Sequence, residues 1–109
     1  MSDQTKLETT QLYNYLCKYC VGKDNMQKST EIRFTLNISG DKKLRHLVQL
    51  IRESKEYPQL IGSKSGQSGG FYICVSEEEI SETINNLKHR ANQMLRMCHI
   101  MEWKAGAIK

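Results

Sequence analysis

Along the first fifth of the chain, Leu12, Tyr15, Leu16 and Tyr19 recur at spacings of three and four between Leu7 and Val21. That period predicts an amphipathic helix, and Gly22, just beyond the last periodic position, predicts its C-cap. The next stretch, "KSTEIRFTLNIS", places Ser29 or Thr30 where a short second helix needs an N-cap. Ile32, Leu36 and Phe34 are its candidate inward residues, although the β-branched and aromatic content also suits a strand. After "NISG", Asp41 is the expected N-cap of a third helix over roughly residues 42–54, its carboxylate accepting orphan amides. Leu44, Leu47, Val48 and Ile51 form the buried stripe of that helix.

The turn Asn37 to Gly40 has the spacing of a helix-turn-helix. Beyond "KEYP" the period changes from helical to extended. "PQLIGS" and "GGFYICV" are short apolar runs around a Gly/Ser-rich tip, which predicts a β-hairpin. Gly66, Gly69 and Gly70 would let the tip bend through positive φ. From Ser76, a cap signal followed by three glutamates opens one long helix. Within it Ile80, Ile84, Leu87, Ala91, Met94, Cys98 and Met101 alternate steps of four and three, a heptad seam of about three repeats.

Composition narrows the class. The 109 residues, 39% hydrophobic and 26% charged, predict one small folded domain rather than a disordered chain. The N-terminal "MSDQTKLETTQ" is polar and lacks the basic start and apolar run of a signal peptide, so a cytoplasmic location is expected, with no membrane partner and with Cys17, Cys20, Cys74 and Cys98 as reduced thiols. The net charge of +4 is unevenly placed: residues 1–27 and 76–109 are each neutral, while residues 28–75 carry eight basic side chains against four acidic ones. A basic segment in a neutral frame points to a polyanion partner.

That segment contains the candidate chemistry. With its apolar stripe inward, the third helix shows Lys42, Arg45, His46, Gln49 and Arg52 outward, with Lys43 on the flank. Helices of this size fit the major groove, where Arg and Lys pair with guanine edges and Gln with adenine, while flanking lysines neutralise phosphates. Any exposed helix face is charged as well, so the face alone is weak evidence. At the hairpin tip, Lys64, Ser65 and Ser68 could approach phosphates; the ending required of a P-loop is absent. Cys17-x-x-Cys20 could supply half of a zinc site, but thiols on a helix with no second tight pair are better read as core residues. The glutamates at 77–79 are explained by a helix N-terminus, and no nucleophile–base arrangement stands out. No enzyme, metal or cofactor is expected.

The second half of the chain resembles winged helix-turn-helix domains, and within them a small group found in phages and prophages. The resemblance rests on "KLRHLVQLIRE", "YPQLIGS", "GGFYICVSEEEI" and "LKHRANQML" and covers roughly residues 29–101. It implies an α+β, mostly helical fold: a winged helix-turn-helix over residues 1–75 with a β-hairpin wing, then a long C-terminal helix over 76–109. It also implies binding of double-stranded DNA, in transcription control or phage DNA replication, through Lys42, Lys43, Arg45, His46, Gln49, Arg52 and Lys64. The alternative is a protein-interaction module that engages a host protein. The first half of the long helix is expected to pack on the first helix. The seam residues Leu87, Ala91, Met94, Cys98 and Met101 are expected to join a homodimer.

Overall fold

The computed structural model describes residues 2–64 and 69–108. The chain is α+β: α1 (Asp3–Tyr19), α2 (Ser29–Leu36), α3 (Asp41–Glu53), β1 (Ile61–Lys64), β2 (Gly70–Ile73) and α4 (Glu77–Ile108), with a short 3-10 turn at Lys23–Asn25. Leu12 and Leu16 of α1, Ile32 of α2, and Leu44, Leu47, Val48 and Ile51 of α3 meet Ile61, Tyr72 and Ile73 of the hairpin in one core. The apolar stripe predicted for α3 is therefore the buried one; of that predicted for α1, Leu12 and Leu16 are buried, Tyr15 is half-buried, and Tyr19, at the helix end, is 53% exposed.

Local chemistry explains the boundaries. Ser2 caps α1, its hydroxyl accepting the Thr5 amide at 3.2 Å. The helix ends at Tyr19, and Gly22, at φ 83°, lies in the following loop rather than at the cap. Between α2 and α3, Asn37 adopts the left-handed conformation (φ 56°), and the Ile38 amide reaches back to the Arg33 carbonyl at 2.9 Å, closing α2 as a Schellman turn. Two expected caps are shifted by one residue. Lys28 and Gly40 hold the N-cap positions of α2 and α3, leaving Ser29 and Asp41 as first helical residues. They bond each other instead, Ser29 Oγ donating to Asp41 at 2.5 Å, which ties the start of α2 to the start of α3. Phe34 is the clear departure on α2: it is 90% exposed. An eight-residue helix packed mainly on α3 buries a narrow stripe, and Ile32 with half-buried Leu36 fills it.

The hairpin pairs antiparallel, Ile61 with Ile73 and Lys64 with Gly70. Both of its edges are covered. On the β2 side the segment 20–27 lies alongside: Phe71 exchanges two backbone hydrogen bonds with Gln27, the Ile73 amide donates to Cys20, and the Gly22 amide donates to Ile73. On the β1 side, Ile61 and Ser63 point their backbone groups at α3 and α4, where side chains satisfy them. Closing both edges removes the unpaired rows that invite aggregation. Gly62 and Gly70 are dictated by close approach: a Cβ on Gly62 would sit 2.5 Å from the Tyr72 ring, and one on Gly70 would run into the Gln27 carbonyl. The expected bend at Gly66, and the contacts expected of Ser65 and Ser68, lie outside the described residues.

α4 starts as the sequence predicts. Ser76 Oγ accepts the Glu79 amide, and the Glu79 carboxylate accepts the amides of Val75 at 2.9 Å and Lys23 at 3.1 Å. Lys23 adds an ion pair to Glu82 at 2.7 Å. The first half of α4 thus packs on the 3-10 turn and on β1, with β1 rather than α1 as its main neighbour. Among the described residues no helix is long and apolar enough to cross a membrane.

Candidate functional site

A cleft of about 670 Å³ opens where four elements converge. The first turn of α2 contributes Lys28, Ser29 and Thr30; α3 contributes Arg45, Val48, Gln49 and Arg52; the hairpin contributes Ser63, Lys64 and Gly69 to Phe71; α4 contributes Leu87 and Arg90. Among the described residues its wall holds five cationic side chains and no carboxylate. Val48 and Phe71 are buried and form an apolar floor. The start of α2 adds to the positive field, because its cap Lys28 offers no side-chain acceptor to the orphan amides of the first turn.

The seven residues expected to touch DNA divide into three groups. Arg45, Gln49, Arg52 and Lys64 line the cleft. Lys42 and His46 are exposed on α3 but outside it. Lys43 is half-buried and turned toward α1, its ammonium 2.5 Å from the Glu8 carboxylate, so it serves as a tether between helices.

Arg52 also has structural work. Its guanidinium donates to the Ile61 carbonyl at 3.0 and 3.2 Å and to Ser63 Oγ at 3.1 Å, pinning α3 to the outer edge of β1. Burial first, and then the neighbouring Arg90 charge, draw its pKa below the ordinary arginine value, while Cys74 opposes them. It remains cationic, as guanidinium groups in proteins do. Arg45 is exposed and pairs with Asp41 at 2.6 Å; Gln49 donates to Glu53 at 2.9 Å. Both are i,i+4 surface contacts, weak enough for a ligand to displace. The Asp41 carboxyl is held below the usual carboxylate range by the Ser29 hydroxyl first and then by Arg45.

Sequence reasoning missed Lys28 and Arg90 as members of the site. Lys28 begins the basic segment, and Arg90 stands in the "LKHRA" run, but neither lies on the third helix or the hairpin where attention falls. Their membership follows from the packing of α2 and α4 around α3. Of the seam residues, Leu87 lines the cleft, whereas Ala91, Met94, Cys98 and Met101 lie beyond it and are exposed. Of the thiols, Cys20 and Cys74 are buried and Cys17 half-buried; burial pushes the Cys20 thiol up to about 11, which keeps it protonated and inert. Among the described residues no three metal-donor side chains come together.

No family model matches the chain, and no curated protein or solved structure matches it.

Proposed function

We propose that this protein is a winged-helix DNA-binding protein that holds duplex DNA against α3 and the hairpin, acting in transcription control or phage DNA replication without catalysis. The observation that carries the reading is the cleft: five cations from four elements converge there, with no carboxylate among the described lining residues. The sequence resemblance supplies the fold name, and the four-residue turn between α2 and α3 and the hairpin after α3 are consistent with it. Exposed Arg45 and Gln49 are the side chains best placed to read base edges. Lys28, Lys64 and Arg90 suit phosphates, which contribute affinity without sequence preference.

A titration of the full chain against random-sequence duplex, followed by fluorescence anisotropy, tests the reading. With Lys28, Lys64 and Arg90 each neutralising a phosphate, affinity should fall about forty-fold between about 50 and about 200 mM salt. Arg45→Ala should weaken binding by about 1–3 kcal/mol, and Lys42→Ala, outside the cleft, by less. No binding even at low salt would overturn the DNA reading. It would leave the second reading, a module engaging a host protein, which the exposed cluster of Leu95, Ile100 and Trp103 on α4 favours.

A further inference from the structure

The stripe of α4 that faces its own domain does not stop where the domain stops. Ile80 packs on the core, Thr83 Oγ1 accepts the Ser63 amide at 3.2 Å, and Leu87 edges the cleft. Continued at steps of three and four, the same face carries Ala91, Met94, Cys98, Met101 and Ala105, and from Ala91 to Ala107 every residue is exposed. Met94 is 69% exposed and Met101 63%.

This overhang has a measurable cost in area. A compact chain of 12.6 kDa exposes about 6,200 Å² and has a radius of gyration of about 13 Å. Here the accessible surface is 7940 Å² and the radius 16.5 Å. The surplus of roughly 1,700 Å² is about twice what one partner contributes to a standard interface.

We infer that the overhangs of two copies of this chain pack antiparallel, each covering the other's exposed stripe. Geometry selects the direction. A parallel, in-register pair would lay the partner's helix along residues 80–87 of the same stripe, where the domain's own hairpin already sits. Antiparallel pairing confined to residues 91–108 avoids that volume. It sets Cys98 against Met101 of the partner subunit and Met94 against Ala105 of the partner subunit. On the flanks Leu95 meets Glu102 of the partner subunit and Met97 meets Lys104 of the partner subunit, so no like charges oppose and the long side chains cover apolar surface. Small and methionine side chains let the helices approach closely and adapt. The inference does not rest on the DNA reading.

Two measurements on the full chain test it. Sedimentation equilibrium should return twice 12.6 kDa for the wild type. It should return the monomer mass for Met94→Glu/Met101→Glu, whose domain should still unfold with the wild-type midpoint when both are compared at monomeric dilution. A monomeric wild type at the highest attainable concentration, or a dimer indifferent to both glutamates, overturns the inference. For orientation, in a Cys98→Ser background, mixed Met94→Cys and Ala105→Cys chains should form a disulfide under mild oxidation. Met94→Cys alone should not, because the two copies of that position lie about 16 Å apart along the antiparallel axis. Ready self-linking of Met94→Cys would mean a parallel pair and would overturn the antiparallel assignment.

Discussion

The two halves of α4 carry one apolar stripe and meet opposite surroundings. In the first half Ile80, Thr83 and Leu87 face the hairpin, and Glu79 and Glu82 hold Lys23, so side-chain hydrogen bonds and burial fix the helix in place. In the second half Met94, Cys98 and Met101 repeat the spacing and are exposed. A stripe records that a helix wants a neighbour. It does not say whether the neighbour belongs to the same chain, because periodicity depends only on the helix's own geometry.

Stability measurements sharpen the contrast. The largest effect is expected at Thr83, 6% exposed. Thr83→Val keeps the shape but leaves the Ser63 amide without its acceptor, at a cost of about 1–3 kcal/mol by urea unfolding, and Thr83→Ser should recover much of it. A loss no larger than that of an exposed-site change would mean that α4 is not anchored there.

A smaller, pH-dependent effect is expected at Glu79. The Val75 amide first, then the Lys23 amide, hold its carboxyl below the usual glutamate range. A depressed folded-state pKa contributes stability above the unfolded value of about 4.3 and loses it as pH falls through the folded value. Urea midpoints should therefore fall on acidification below that point, and Glu79→Gln should flatten this limb while lowering stability near neutrality. An unchanged acid limb would remove Glu79 from the anchor.

The smallest effect is expected in the overhang. At concentrations where the chain is monomeric, Met97→Ala should change the unfolding free energy by no more than about 0.5 kcal/mol, since its side chain touches no core. A larger loss would show that the overhang folds back on the domain.

Much of the site was legible in the residues, in unequal measure. The inward stripe of α3 was correct at Leu44, Leu47, Val48 and Ile51 because a period of 3.6 sorts buried from exposed positions without any knowledge of partners. The same sorting placed Arg52 on the outward face and Lys43 on its flank, both as cations open to a ligand. It could not reveal that Glu8 or the edge of β1 would be waiting for them. Phe34 misleads in the other direction: its hydrophobicity argues for burial, and the narrow footprint of α2 overrules it.

By itself the sequence determined the order of the elements and the type of all but α2, the buried face of α3 and the buried leucines of α1, the cap at Ser76 and the concentration of positive charge in residues 28–75. All of these depend on local periodicity, capping chemistry or composition. Tertiary structure alone decided that segment 20–27 closes one edge of the hairpin while Arg52 and Thr83 close the other. It alone decided that Gly62 and Gly70 answer to neighbouring groups, that Lys28 and Arg90 join the basic cleft, and that α4 outruns its domain. All but the last are meetings of residues far apart in the chain, which only the packing of the elements brings within reach; the last marks where that packing ends.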